Sequence, residues 1–158
     1  MNNLYVKRGN RYIPAPISAI AEAHMKYATI PAGTTISSPA DSKALLETML
    51  CGQQREQFTV LLLDNRHRVI DCKVLFQGTI DAAAVYPREV VKTALEANAA
   101  AVILAHNHPS GVAEPSESDR IVTKRIRDAL ELVDIRLLDH FVIGSPGKSV
   151  SLATRGMI

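Results

Sequence analysis

The chain has 158 residues, of which 47% are hydrophobic and 22% are charged. This length is typical of one domain, and the composition is ordinary for a globular protein, which excludes disordered, collagen-like and coiled-coil chains. Lys and Arg number 18 and Asp and Glu number 16, which leaves a formal charge of +2. So small an excess gives weak support for nucleic-acid binding, since that usually requires a strongly basic face.

The sequence lacks the usual signs of export or membrane insertion. No apolar run approaches the ~18 residues that a transmembrane helix needs, and residues 1–16 contain two prolines but no apolar segment typical of a signal peptide. Cys51 and Cys72 form neither a CxxC zinc pattern nor a disulfide framework, so we interpret them as buried thiols in a reducing compartment. These features predict a cytoplasmic protein.

Residues 1–36 differ in pattern from the rest, and we interpret them as an N-terminal extension that precedes a main domain at residues 37–158. Within the extension, apolar residues at helical spacing predict a short helix at residues 17–28. The main domain opens with a helix, whose start is indicated by Ser38 as the N-cap and Asp41 at the third position.

The main domain alternates between helical and strand-like patterns. Short apolar runs predict five strands, the first two as an antiparallel hairpin, at residues 58–63, 68–76, 99–105, 135–143 and 149–152. Helical spacing predicts three helices, which start at Ser38, Pro87 and Ser116. Strands and helices are mixed around one sheet with residues 99–105 near its centre, so we predict a three-layer α/β fold.

The second and third helices carry apolar stripes that we expect to face the sheet. In the second helix the stripe comprises Val90, Val91, Ala94 and Leu95. In the third helix it comprises Ile121, Val122, Ile126, Ala129, Leu130 and Val133. The third helix also has a basic side, which we interpret as a solvated face, formed by Arg120, Lys124, Arg125 and Arg127.

A polar loop after the predicted central strand contains the residues best suited to chemistry. It reads HNHPSGVAEPSESD and begins with His106 and His108. In an extended chain, residues two positions apart point the same way, so both imidazoles can converge on one ion. Ser116 and Asp119 follow at the start of a helix, near the positive end of its dipole.

Two neutral imidazoles and one carboxylate make a three-ligand zinc site with a fourth position open for water. Zinc lowers the pKa of that water to roughly 7, and the Ser116 hydroxyl is placed to hydrogen-bond the oxyanion that forms when hydroxide attacks a carbonyl. Ser116-x-x-Asp119 is also an ordinary helix-capping signature, like Ser38-x-x-Asp41. The combination HxH-x7-SxxD favours the metal site, although the loop supplies no obvious general base.

The segments HNHPSG, PSESD and LLDHFVIG together resemble the RadC-like branch of the JAB/MPN (JAMM) zinc metallopeptidase superfamily, in its short stand-alone form, over residues 38–152. The resemblance implies a fold similar to the cytidine-deaminase architecture, with a mixed sheet between helices. It also implies one Zn²⁺ per chain, held by His106, His108 and Asp119 with assistance from Ser116.

That family takes its general base from a glutamate near the start of the first strand of the sheet, and the matching residue is Glu56. From the residues alone, Glu56 is merely a charged side chain at a strand entrance. Two other glutamates compete for the role, Glu89 in the first turn of a helix and Glu114 inside the loop. The helix dipole explains Glu89 without catalysis, so the resemblance is what selects Glu56.

Further polar residues accompany the motif. We interpret His140 as a hydrogen-bonded histidine of the fourth strand of the main domain. Asn107, Ser110 and Gly111 belong to the loop beside the predicted metal site, where they are candidates for contacts to substrate.

The leading hypothesis is a zinc metallopeptidase that cleaves a peptide or isopeptide bond in a peptide or protein substrate, with Glu56 as proton shuttle and Ser116 as oxyanion donor. Exposed strand edges could also pair in a homo-oligomer. The alternative is a DNA-repair or mobile-element-associated accessory protein with a structural metal and no hydrolase activity, whose DNA affinity would fall steeply with salt. Longer RadC-like proteins carry a helix-hairpin-helix module, which residues 1–36 do not resemble.

Overall fold

A computed structural model describes residues 5–8, 11–14, 30–78 and 84–158. In chain order its elements are β1 (Tyr5–Arg8), β2 (Arg11–Pro14), α1 (Pro39–Leu50), β3 (Gln57–Leu63), β4 (Val69–Gln77), α2 (Pro87–Glu96), β5 (Ala101–Asn107), α3 (Glu117–Glu131), β6 (Arg136–Ile143) and β7 (Ser149–Ser151). β1 and β2 form an antiparallel pair of four residues each, too short for the sequence pattern to predict. The helix predicted at residues 17–28 lies outside the described residues.

Within the described residues, strands β3 to β7 form one mixed sheet in the order β4-β3-β5-β6-β7. β5 and β6 are parallel, whereas the other neighbouring pairs are antiparallel. β5 lies at the centre, as predicted, and every one of its residues is buried. Because β5 and β6 run in the same direction, their carboxyl ends lie side by side at one edge of the sheet.

The sheet lies between two helical layers, which confirms the predicted three-layer α/β fold. Successive residues of a strand point to opposite faces, so β3 contributes Leu61 to one face and Val60 to the other. α1 covers the first face with Leu46 and Leu50, and α2 and α3 cover the second. Each layer buries apolar side chains against the sheet, and this burial is the dominant favourable contribution to folding.

Two apolar residues that were predicted to face the sheet do not, because Leu95 and Ile121 are 53% and 54% exposed. The inward stripe of each helix instead includes a threonine, which an apolar pattern overlooks. In α3 the buried side chains are Thr123, Ile126 and Leu130, and Asp119 lies one turn before Thr123 on the same side. Because this side of α3 packs against the sheet, Asp119 also points toward the end of the sheet.

Cys51 and Cys72 are free thiols, and both are half-buried rather than buried as predicted. The Cys72 thiol lies 3.7 Å from the Met49 sulfur. Burial, with a smaller contribution from the charge of Asp71, raises the pKa of Cys72 to about 12, which leaves this thiol unreactive near neutral pH. Among the described residues, no helix has the length and apolar character needed to cross a membrane.

The turn between β3 and β4 is organised by one carboxylate. Asp64 Oδ1 accepts hydrogen bonds from the backbone amides of Arg66 and Arg68 at 2.8 and 2.9 Å, and Oδ2 accepts from Arg68 Nε at 2.7 Å. The backbone bond from Arg68 is the main reason that the pKa of Asp64 lies below its usual value, and partial desolvation opposes it. A carboxylate with a lowered folded-state pKa stabilises the fold above its unfolded pKa, and this contribution is lost as pH falls through the folded pKa.

We therefore expect Asp64→Asn to lower the melting temperature at pH 7, because the amide lacks the charge that strengthens these bonds. The difference from wild type should shrink below about pH 4, where Asp64 of the unfolded chain is protonated. Thermal unfolding followed by circular dichroism at a series of pH values measures both effects. A difference that stays constant down to pH 2 would contradict the assignment.

Candidate metal centre

Three side chains meet at the carboxyl end of the central strand. His106 lies in β5, which runs two residues beyond the predicted strand, His108 follows directly, and Asp119 occupies the first turn of α3. The Nε2 atoms of the two histidines are 3.0 Å apart. Asp119 Oδ1 lies 3.2 Å from His106 Nε2, and Oδ2 lies 3.5 Å from His108 Nε2. The predicted ligands therefore converge on one point.

The centre is closed on the sheet side and open on the other. His106 is 1% exposed, whereas the side chains of His108 and Asp119 are 20% and 14% exposed. Phe58, the cross-strand neighbour of His106 in β3, stacks its ring on the imidazole with centroids 6.1 Å apart. One ligand is thus fixed by the core, while the other two reach solvent.

The loop that carries His108 is fastened to the turn after β6. The His108 amide donates to the carbonyl of Ile143 at 2.8 Å, and the Ser145 amide donates to the carbonyl of Gly111 at 2.9 Å. A Cβ at Gly144 would lie 2.4 Å from the Gly111 oxygen, so only glycine allows this approach. Gly111, predicted as a candidate substrate contact, packs against this turn, and Ser110 is exposed.

The hydrogen bond of His108 determines which of its ring nitrogens carries a proton. Nδ1 lies 2.8 Å from the carbonyl oxygen of Val112. A carbonyl only accepts, so Nδ1 must be the donor, and in the neutral ring Nε2 is then a bare lone pair. That lone pair faces His106 and Asp119.

A chain of hydrogen bonds sets the proton of His106 in the same way. The Thr123 hydroxyl donates to the backbone carbonyl of Asp119, so its oxygen must accept from His140 Nδ1, which lies 2.6 Å away. His140 is fully buried, and desolvation, with the nearby ring of His106, holds the pKa of His140 well below its usual value. Neutral His140 therefore offers a bare Nε2, which accepts from His106 Nδ1 at 2.8 Å. In the neutral ring of His106, Nε2 is then a lone pair.

Two imidazole nitrogens and a carboxylate that point at one another favour a positive charge between them, which a metal ion or a proton on His108 can supply. A tetrahedral zinc ion with nitrogen and oxygen ligands at 2.0–2.2 Å separates neighbouring ligand atoms by about 3.3 Å. The separations of 3.0, 3.2 and 3.5 Å lie around this value. The three side chains offer ligand atoms within 4.8 Å of one another, and both the donor types and their spacing fit a zinc ion.

Electrostatics favour the ionised form of the carboxylate. Burial opposes ionisation of Asp119, but the rings of His106 and His108 and the Ser116 hydroxyl outweigh it and hold the pKa of Asp119 well below its usual value. The hydrogen bond to Asp119 raises the pKa of His108 against a smaller opposing effect of burial, and the charge of Glu56 adds to the increase. Without a metal, a proton on His108 supplies the missing positive charge.

Ser116 caps α3, which is the structural role that its sequence pattern allowed. The Asp119 amide donates to Ser116 Oγ at 3.1 Å, and the Ser116 amide donates back to Asp119 Oδ2 at 2.7 Å. Ser116 Oγ also donates to Oδ2 at 2.7 Å. The capping box thus occupies Oδ2 and leaves Oδ1 directed at His106, so the cap and the candidate metal site share one carboxylate.

The three candidate glutamates have different surroundings. Glu56 directly precedes β3, half-buried, and is close enough for its charge to raise the pKa of His108. Glu114 forms an ion pair with Arg155 at 2.7 Å, which holds its carboxylate at the surface. Glu89 lies 3.7 Å from Arg88 within the first turn of α2. Of the three, Glu56 is the one whose charge contributes to the raised pKa of His108.

Sequence reasoning missed two parts of this arrangement. No function was predicted for Thr123. The sequence does place this polar residue one turn after Asp119, in line with the apolar residues Ile126 and Leu130, and this position could have indicated a buried hydrogen bond. His140 was correctly predicted to be a hydrogen-bonded strand histidine, but its partner is a metal-ligand candidate, a tertiary contact across 34 residues. Asn107, a candidate for contacts to substrate, instead points to the opposite side of β5 from the imidazoles and bonds to backbone.

Comparison with known proteins connects this centre to a family. The family profile described as the RadC-like JAB domain matches residues 36–157. The chain is 58% identical over 144 residues to a UPF0758 protein of Vibrio parahaemolyticus, an alignment that covers 90% of this chain and 64% of the relative. A UPF0758 protein of Aliivibrio fischeri (strain MJ11) is 58% identical over 146 residues, with 91% and 65% covered. The chain thus spans about 64–65% of the length of these curated relatives.

We expect Thr123→Val to weaken zinc binding without unfolding the protein. Valine keeps the shape of threonine but cannot accept the proton of His140 Nδ1, so the orientation of His106 is no longer fixed. Loss of such outer hydrogen bonds costs ~10–100-fold in metal affinity, which competition with a chromophoric chelator measures. Thr48→Val is the control, because the Thr48 hydroxyl also donates to the carbonyl four residues earlier in its helix, that of Ala44, at 2.9 Å. Thr48 lies away from the centre. Equal zinc affinity in Thr123→Val and wild type would contradict the hydrogen-bond chain.

Proposed function

Because the chain belongs to the RadC-like JAB domain family, we propose that it is a zinc-dependent hydrolase that cleaves a peptide or isopeptide bond of a peptide or protein substrate. The observation that carries the proposal is the convergence of two imidazole nitrogens and a carboxylate at a point open to solvent. Such a three-ligand set is typical of catalytic zinc sites, which keep one position free, whereas structural zinc sites are closed by four protein ligands.

In this proposal His106, His108 and Asp119 hold the zinc ion. When bound, zinc lowers the pKa of a coordinated water to roughly 7 and polarises the substrate carbonyl. The hydrogen bonds of the outer residues keep the ligands in place, and the buried wall of Phe58 and His140 excludes water from the inner side. The exposed sides of His108 and Asp119 face the direction from which substrate approaches.

Glu56 acts as the general base. Its carboxylate takes the proton of the attacking water and passes it to the leaving nitrogen, which must be protonated for the C–N bond to break. The effect of its charge on the pKa of His108 supports this role, since it indicates that Glu56 lies within electrostatic reach of the centre. The ion pair with Arg155 removes Glu114 from competition.

Ser116 stabilises the oxyanion. Its hydroxyl lies at the exposed end of α3, 2.7 Å from Asp119 Oδ2. A rotation about the Cβ–Oγ bond redirects the hydroxyl hydrogen from the carboxylate to the negative oxygen of the tetrahedral intermediate and leaves the bond from the Asp119 amide to Oγ in place. The positive end of the α3 dipole strengthens the interaction with that charge.

The test uses the zinc-loaded chain, a peptide library from a bacterial proteome and water enriched in ¹⁸O. Hydrolysis places ¹⁸O in each new carboxyl terminus, which mass spectrometry detects. We expect wild type to generate labelled termini and Glu56→Gln to keep its zinc but lose activity by ~10²–10⁴-fold, the usual contribution of a general base. Glu114→Gln is the matched control and should keep wild-type activity.

Two results would overturn this assignment. Full activity in Glu56→Gln would show that another group moves the proton. Zinc loss in Glu56→Gln would place Glu56 among the ligands instead. If wild type cleaves neither the peptides nor an isopeptide-linked peptide pair that is added to the library, the hydrolase proposal itself fails.

A further inference from the structure

Asn107 separates the two histidines in sequence and faces the opposite side of the strand. It is 2% exposed, and its side chain bonds to the backbone that leads into β3 rather than to the metal centre. We infer that Asn107 is a positioning residue, which fixes the backbone on both sides of Glu56 and thereby aims the Glu56 carboxylate. This inference rests on the role proposed above for Glu56.

All the described contacts of the Asn107 amide are with residues 53–57. Oδ1 accepts from the Gln57 amide at 2.8 Å. Nδ2 donates to the carbonyl of Arg55 at 3.0 Å and to that of Gln53 at 3.3 Å. Because the carbonyl of Arg55 and the amide of Gln57 belong to the two peptide units that flank Glu56, one side chain holds both units.

The position of this contact follows from the way the ladder between β3 and β5 ends. The last paired residues of the two strands are Phe58 and His106. Beyond that pair, the Asn107 side chain replaces the missing backbone partner of Gln57. From the other side, the Gly78 amide donates to the carbonyl of Glu56 at 2.8 Å. Hydrogen bonds from both neighbouring strands therefore fix the backbone dihedral angles of Glu56.

Asparagine is suited to this task because it both accepts and donates. Its two partners on Nδ2 are carbonyls and its partner on Oδ1 is an N–H group, so the orientation of the amide is fully determined. Aspartate has nearly the same shape but no N–H group. At position 107 it would keep the bond from Gln57 and set a carboxylate oxygen against the carbonyls of Gln53 and Arg55.

The arrangement couples the general base to the metal ligands through two adjacent residues. His106 points to one side of β5 and Asn107 to the other. A displacement of the strand end would therefore move the ligand and the anchor of Glu56 together. The relative position of base and metal is thus set by backbone geometry rather than by a direct contact between their side chains.

The test compares Asn107→Ala and Asn107→Asp with wild type in the zinc-loaded full chain, and Asn65→Ala, in the exposed turn after β3, is the control. Amide hydrogen exchange by NMR reports on the Gln57 amide directly. We expect exchange at Gln57 to rise ~10-fold or more in Asn107→Ala and less in Asn107→Asp, which keeps an acceptor. Zinc affinity, by chelator competition, should change less than ~3-fold, because no ligand is altered.

A mutant cycle with Glu56→Gln separates positioning from general stability. Peptide cleavage should fall ~10²-fold in Asn107→Ala, in kcat rather than KM, and should not fall further when the change is added to Glu56→Gln. Unchanged exchange at Gln57, or a further loss of similar size in the double variant, would overturn the inference. If wild type cleaves no substrate, the proposed function fails on its own, and exchange at Gln57 decides whether Asn107 holds this backbone. Asn107→Asp supplies the readout if Asn107→Ala does not fold.

Discussion

The Nε2 atoms of His106 and His108 lie 3.0 Å apart, and the outer nitrogen of each ring is committed as a donor to a protein acceptor. Two lone pairs and the carboxylate of Asp119 repel each other at such distances unless a positive charge, from a metal ion or a proton on His108, lies among them. The fold holds these groups together nonetheless, through the end of β5, the loop fastened to the turn after β6, and the capped start of α3. The surrounding structure thus supports the proposed metal site at this point.

The same hydrogen bonds serve both stability and chemistry. The capping box of α3 satisfies backbone donors of the helix and also orients the Asp119 carboxylate. The hydrogen bond from Thr123 to the Asp119 carbonyl closes a chain that runs through His140 to His106. The cap and the proposed metal site are therefore compatible, because the cap orients the candidate ligand Asp119.

The sequence predicted the parts of the fold and of the centre that depend on local pattern. The alternation of a strand placed His106 and His108 on one side, and helical spacing placed Asp119 near them. The sequence alone could not predict which residues His140, Thr123 and Asn107 contact, because tertiary packing alone brings each of them near its hydrogen-bond partner. A buried polar residue shows in sequence that a partner must exist, but not which one. The predicted burial of Leu95 and Ile121 was wrong for a different reason. An exposed apolar side chain is common at protein surfaces, so an apolar residue in the pattern need not be buried.

The most direct test of the account is the zinc content per chain, by elemental analysis after reconstitution and removal of free metal, of wild type, His108→Ala and His67→Ala. His67 lies in the turn between β3 and β4 with a positive φ of 57° and serves as the matched control. The account predicts about one zinc per chain in wild type and in His67→Ala, and little in His108→Ala, because the loss of one of three ligands leaves an incomplete site. No zinc in wild type, or equal zinc in His108→Ala, would contradict it.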